Sequence, residues 1–205
     1  PIRLQSERLQ KRLADKLADE NDQQILAKAT GTIIDQVEAM QQIVADFSQI
    51  AKPLETRRQN LQLNPLLRQI AELYREQHLT LDLHDPLGDI SADPVHLRQI
   101  LINLMKNAIE ATQNQDAPQI RWHTSQHNGQ ITLDIEDNGP GFADLNKDPF
   151  EPYVTNKPKG TGLGLAIVKK IVHEHDGTIS AGHSRDLGGA KITITLPLTT
   201  TSTTP

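Results

Sequence analysis

The chain has 205 residues, 36% of them hydrophobic and 23% charged, with a formal net charge of −5 and no cysteine. Disulfides, thiolate metal centres and cysteine nucleophiles are therefore excluded, and a reducing cytoplasmic setting fits. The acidic balance, with no Lys/Arg cluster beyond short pairs, speaks against a nucleic-acid partner, and no apolar run reaches the roughly 18 residues that a membrane span requires.

Pro1, not Met, opens the chain in what reads as mid-helix sequence, which predicts further protein upstream. Leu9, Leu13 and Leu17 lie four apart and define a first amphipathic helix, with the polar run Ala18 to Asp22 as its expected turn. Ile33, Val37, Met40, Val44, Phe47 and Ala51 then recur in alternating steps of four and three, the seam of a second helix that packs on other helices. Pro53 ends it, because proline has no amide donor and restrains the residue before it. Gly31 inside this helix costs about 1 kcal/mol relative to alanine and is a candidate bend. Residues 1–58 thus read as a helical hairpin and its outgoing linker. Two helices close no core alone, so a homodimeric four-helix bundle is expected, the alternative being that the seams pack on the following domain.

Residues 59–198 change to a mixed pattern. A helix is expected at about Pro65 to Glu76, strands near Leu79 to Leu83, Ile120 to Thr124 and Ile131 to Glu136, and a last strand at Ala190 to Leu196. Further helices run from Pro94 to Thr112, with Asp93 as N-cap and Pro94 in the first turn, and from Leu163 to His173. The fold class is α+β: a sandwich in which helices cover one face of a mixed sheet. The low-complexity residues 199–205 are expected to form a disordered tail.

Three patches carry chemistry. Asn103 and Asn107, four apart, share one helix face with Gln99 and Glu110, while Ile100, Leu101, Leu104 and Ala108 fill the other. Two stacked carboxamides offer hard oxygens suited to Mg²⁺, the alternative being a solvated polar stripe. The alternation Ile131, Leu133, Ile135 carries Asp137 to the inward face at a strand end, where its carboxylate needs a donor. An adenine amine would supply one, with Gly139 and Gly141 allowing close backbone approach; a plain Asp-Asn-Gly turn is the alternative, although it leaves the second glycine and Phe142 unexplained. Gly160, Thr161, Gly162, Leu163 and Gly164 open directly into a helix, whose free amides and positive end suit phosphate. Between the glycine patches, Phe142 to Lys159 is polar, contains Phe150, Tyr153, Lys157 and Lys159, and reads as a mobile lid. Lys157 is the candidate phosphate contact, a solvated loop lysine being the alternative. His173 and His175 are two apart and diverge on a helix, which disfavours a metal role.

With these patches in this order, residues 60–197 resemble the catalytic domain of sensor histidine kinases, the Bergerat-type ATP fold shared with DNA gyrase, MutL and heat-shock chaperones. Asn103 to Asn107 looks like the N box, Asp137 to Gly141 the first glycine box, Phe150 to Tyr153 the F box, and Gly160 to Gly164 the second glycine box. The resemblance implies ATP and Mg²⁺ as cofactors, Asn107 as metal ligand with Asn103 nearby, Asp137 as adenine reader, and Gly160 to Gly164 as the phosphate loop under a closing lid. Residues 1–58 look like the dimerisation and histidine-phosphotransfer hairpin, and Pro1 to Leu9 together with Asp46 to Pro53 is similar to the NtrY branch of nitrogen-regulation kinases. A response-regulator partner, a cytoplasmic place for these residues and an inner-membrane place for the full-length bacterial protein are implied as well.

Two departures from the family refine the expectation. The phosphoacceptor of such kinases lies in a His-Glu-x-x-Asn-Pro motif, and none of the eight histidines has that context, so this chain is expected not to autophosphorylate. Hydrolases of the superfamily place a glutamate four residues before the metal-binding asparagine, where this chain has Asn103, an amide that cannot serve as a base. The expected function is the ATP-binding catalytic part of a two-component kinase that transfers the γ-phosphoryl group to a histidine for relay to a regulator aspartate. Alternatives are a dimeric regulator-docking and phosphatase module that uses nucleotide only conformationally, and a gyrase- or MutL-like ATPase. Glu110 stands where many relatives carry another side chain.

Overall fold

The computed structural model describes residues 2–14, 19–51, 55–142, 147–155 and 160–199. The chain divides after Ala51 into two units.

In the first unit, α1 (Ile2–Ala14) packs against the 32-residue α2 (Glu20–Ala51). Asp19 caps α2, its Oδ1 accepting from the Asn21 N–H at 2.8 Å. Glu20 to Asp22, expected in the turn, therefore form the first helical turn instead, because the Asp19 carboxylate satisfies an amide there; Leu17 and Pro53 lie outside the described residues. Much of the seam stands exposed, with Ile33 at 44%, Met40 at 65%, Val44 at 68% and Phe47 at 56%. Gly31 does not interrupt α2, and a Cβ placed on it meets nothing within 4 Å. Gly31→Ala is accordingly expected to stabilise the hairpin by about 1 kcal/mol. Thermal unfolding followed by helical circular dichroism checks this, and a lowered midpoint would mean that the glycine is needed for a bend.

In the second unit, β1 (Gln59–Leu61) pairs with β3 (Ile90–Ala92) in a small antiparallel ribbon. The main sheet has the order β2 (Leu79–Leu83), β4 (Ile120–His127), β5 (Gln130–Asp137), β7 (Ala190–Pro197), β6 (Thr178–His183). β2 runs parallel to β4, and every other neighbouring pair is antiparallel. Period-two patterning sorts the side chains. Ile120, Trp122, Ile131, Leu133, Ile135, Ile192, Ile194 and Leu196 are buried on one face. Over them lie α3 (Leu63–Leu73), α4 (Pro94–Thr112) and α5 (Gly164–His173), contributing Leu67, Ile70, Leu101, Leu104, Met105, Val168 and Ile171. The opposite face is polar: Arg121 bonds both Glu136 and Asp186, and Lys191 reaches Asp134 at 2.8 Å.

The structure corrects several boundaries. α3 starts two residues before Pro65, since a proline in the first turn forfeits no intrahelical bond, and it stops at Leu73, short of Glu76. β1, β3 and β6 were not expected from the sequence; the first two have three residues each, and β6, Thr-Ile-Ser-Ala-Gly-His, lacks an apolar alternation. Thr199 is not part of a loose tail: its N–H donates to the Asp89 carbonyl at 2.8 Å and its hydroxyl reaches the same oxygen. Residues 200–205 lie outside the described residues. Arg57 and Arg58, grouped with the hairpin by sequence, are hydrogen-bonded into the second unit through Asp93 and Asp176.

Candidate active site

The site begins at the start of α4. Asp93 caps that helix, its Oδ1 accepting from the Val95 N–H at 2.9 Å, and Pro94 occupies the first position. The rotation set there buries Leu97, Ile100, Leu101, Leu104, Met105 and Ala108 against the sheet. Gln99, Asn103 and Asn107 are left half-buried along one flank, with Glu110 exposed at its end.

β5 brings Asp137 to the same end of α4. The carboxylate is only 7% exposed, and its Oδ1 accepts from the backbone N–H of Gly139 at 2.8 Å and of Ala190 at 3.3 Å. The donor that burial demands is thus met on this oxygen from the backbone, so burial of Asp137 does not by itself call for a ligand. Gly139 sits hard against α4: a Cβ there would lie 2.8 Å from the Ala111 carbonyl oxygen. This contact locks the strand end onto the asparagine helix. Gly141 follows beside the His183 ring.

The third patch sits at the start of α5, which packs on α4. Leu163, 1% exposed, anchors it in the core, and the Thr161 hydroxyl accepts from the Leu163 N–H at 3.3 Å. Gly162 has φ +67° and lies so close to Tyr153 that a Cβ would approach its carbonyl carbon to 2.6 Å. The Tyr153 N–H donates to the Gly162 carbonyl at 3.0 Å, stitching the Phe150–Tyr153 segment to the glycine loop. Phe150 is buried, and Lys169 Nζ lies 6.0 Å from its ring centroid while bonding Asp148 Oδ2 at 2.7 Å. That bond, with the Phe150 N–H, holds the Asp148 carboxyl below its ordinary range and raises Lys169. Gly160 is exposed, and a Cβ on Gly164 meets nothing within 4 Å, so there is room at the opening of α5 for a ligand oxygen. The amides of the first turn have no acceptor inside the helix.

Asn103, Asn107, Asp137, Gly139 and the Gly160–Gly164 loop are therefore assembled by α4, β5 and α5 around one end of the sandwich. Lys157 and the other residues of 156–159 lie outside the described residues. Two participants escaped sequence reasoning. Gly189 packs against Asp137, and the Ala190 N–H bonds it; the Gly188-Gly189 pair just before the last strand was the available signal. The Lys169–Asp148 tie across 21 positions left none.

These residues fit a magnesium nucleotide: neutral amide oxygens suit a hard cation, a buried carboxylate suits an exocyclic amine, and an open helix start suits phosphate. Residues 92–200, which hold every residue of the site described above, match the family described as histidine kinase-, DNA gyrase B-, and HSP90-like ATPase. The chain is 33% identical over 177 residues to sensor histidine kinase ZraS of Escherichia coli O157:H7, covering 83% of this chain and 38% of that protein. It is 33% identical over 205 residues to nitrogen regulation protein NtrY of Azorhizobium caulinodans, covering 96% of this chain and 26% of that protein. The chain thus spans well under half the length of these curated relatives. Among solved structures, histidine kinase ThkA in complex with the response regulator TrrA superposes with TM-score 0.73 at 24% identity, over 95% of this chain and 57% of that one. Full-length ShkA in complex with AMPPNP gives TM-score 0.67 at 24% identity, over 96% and 45%. The chain belongs to the histidine kinase-, DNA gyrase B-, and HSP90-like ATPase family, and the relatives it is similar to are sensor histidine kinases, NtrY among them.

Proposed function

We propose that this chain is the ATP-binding catalytic part of a two-component sensor kinase, which hands the γ-phosphoryl group of ATP to a histidine for relay to an aspartate of a response regulator. The observation that carries the reading is the convergence of the amide flank of α4, the buried Asp137 and the open start of α5. Asp137 reads the adenine amine, with Gly139 and Gly141 giving the base access. Phe150 lines the pocket wall, and Gly160, Thr161, Gly162, Leu163 and Gly164 cradle the phosphates by backbone donors. Asn107, with Asn103 beside it, would hold Mg²⁺, which when bound neutralises phosphate charge. Lys157 is assigned a phosphate contact.

Transfer of a phosphoryl group needs positioning and charge neutralisation more than a base, and the amide at Asn103 withholds the base that water attack requires. That favours a kinase over a hydrolase. None of the eight histidines has the acceptor context, so the nucleophilic imidazole is supplied from outside this sequence and the chain alone does not label itself. The exposed seam of α2 favours a homodimer through the hairpin, and the likeness to a kinase bound to its regulator supports a regulator partner. No helix among the described residues is long and apolar enough to cross a membrane. We assign this part to the cytoplasm and the anchoring of the whole protein in the bacterial inner membrane to other segments.

The test is calorimetric titration with a non-hydrolysable ATP analogue, with and without Mg²⁺, on the native chain and on Asn107→Ala. Mg²⁺ should tighten binding to the native chain, and the substitution should erase about tenfold of that gain. Equal Mg²⁺ dependence in both would remove Asn107 from the metal site, and absence of binding to the native chain would sink the nucleotide reading.

A further inference from the structure

His173 and His175 are separated by the fold: His173 is exposed, whereas His175 is 1% exposed. Both ring nitrogens of His175 are engaged. Nδ1 lies 2.7 Å from the Ile171 carbonyl oxygen, which can only accept, so Nδ1 carries the proton. Nε2 is then an acceptor, and it takes the backbone N–H of Asp93 at 3.0 Å. Asp93 is the residue that caps α4, and its Oδ2 also accepts the Arg57 N–H at 2.8 Å. Arg58 continues the joint, bonding the Glu174 carbonyl and, at 2.5 Å, Asp176. One imidazole thus connects the start of the helix that carries Asn103 and Asn107 to the far end of the helix that begins with the glycine loop.

We propose that His175 is a positioning residue for the nucleotide: as a neutral, Nδ1-protonated imidazole it holds α4 and α5 in register, so that the amide flank and the glycine loop engage one ligand together. The inference rests on the nucleotide reading of the site. His175 bonds Asp93 and the Ile171 carbonyl, not the amide flank or the glycine loop, so it acts through Asp93 and through the α5 backbone.

The groups facing the ring are Arg58 from the linker, Asp93 and His96 from the start of α4, and the Ile171 carbonyl near the end of α5. Burial disfavours the charged ring most strongly, Arg58 and His96 add to this, and the Ile171 carbonyl and Asp93 oppose it; the balance lies below the ordinary value of 6.5. The unfolded chain therefore binds a proton first as pH falls. Stabilisation by the joint is full above the ordinary histidine range and drains as pH drops from there toward the depressed folded value. A protonated ring presents an N–H to the Asp93 N–H, and the joint opens.

Three proteins test this: the native chain, His175→Gln, whose side-chain oxygen can accept from Asp93 but does not titrate, and His175→Leu, which cannot accept at all. Mg·ADP affinity and thermal unfolding are measured at pH 7.5 and pH 5.5, the affinity below each protein's melting temperature. Leucine should weaken binding about tenfold at the higher pH, with glutamine within about twofold of native. Between pH 7.5 and pH 5.5 the native chain should lose thermal stability that the glutamine variant keeps, because the unfolded ring takes up the proton that the buried ring resists. Proton–nitrogen correlation spectra of the nucleotide-free native chain should show His175 protonated at Nδ1. A folded leucine variant that binds as tightly as the native chain, identical pH profiles of stability for native and glutamine proteins, or a ring protonated at Nε2 would each overturn the proposal. If the native chain binds no nucleotide, the nucleotide reading fails, and the His175 tautomer with the exchange rate of the Asp93 amide still decides whether the joint exists.

Discussion

Asp137→Asn is expected to weaken binding of an ATP analogue about a hundredfold, or ~2.7 kcal/mol, while leaving the ligand-free chain folded. The substitution changes almost no volume, and an amide oxygen can still accept from the Gly139 and Ala190 amides that hold Oδ1. What changes is the other terminal atom, from an acceptor oxygen to an amide NH₂ that can only donate. An adenine amine brought against it meets donor with donor in a pocket where Asp137 is 7% exposed, so water cannot repair the mismatch. The prediction separates recognition from architecture. Titration calorimetry reads the affinity, and thermal unfolding without ligand reads the fold. If the midpoint moves by less than about 2 °C and the affinity falls, Asp137 reads the base. If affinity is retained, the carboxylate serves only to hold its glycine turn and the adenine assignment is lost.

The second glycine patch and the asparagine flank were legible because each obeys a short-range rule. Asn103 and Asn107 share a face by helical spacing, and Gly160–Gly164 announces itself by running directly into an apolar helix, Leu163–His173 by sequence and Gly164–His173 in the structure. The α4 boundaries were legible for the same reason: Asp93 and Pro94 are a capping pair, and the helix runs from Pro94 to Thr112 as expected. Strand β5 was legible because one face is apolar and the other polar, so Ile131, Leu133 and Ile135 alternate cleanly with Thr132, Asp134 and Glu136. Strand β6 was not, since at the sheet edge it packs on only one neighbour and its Ser-Ala-Gly centre carries no periodic signal. The ties that assemble the site were equally silent. The bond between Ala190 and Asp137 joins residues 53 apart, and that between His175 and Asp93 joins residues 82 apart. Such pairs depend on tertiary register, which no local pattern encodes.

Gly189→Ala is expected to be the most damaging single methyl in the second unit, at about 3 kcal/mol of stability and a drop of about 10 °C in its melting midpoint. A Cβ at Gly189 would lie 2.4 Å from the Asp137 carbonyl oxygen, 2.6 Å from the Gly139 nitrogen and 2.7 Å from Asp137 Oδ1. Two of these are backbone atoms of the turn that presents the carboxylate, pinned in turn by the contact of Gly139 with Ala111. Neither backbone atom can yield by rotating a side chain, so relief requires β5 and β7 to part just where the site begins. Gly188 supplies the internal contrast. Its φ of +85° strains an alanine, but a Cβ there meets nothing within 4 Å, so Gly188→Ala should cost only about 1 kcal/mol. Because the clash falls on the residues that shape the adenine pocket, Gly189→Ala should also lose nucleotide affinity at temperatures where it remains folded, whereas Gly188→Ala should keep it. Equal melting points for the two variants would show that the β5–β7 junction yields easily, and Asp137 would then owe its placement to something other than the close approach of Gly189.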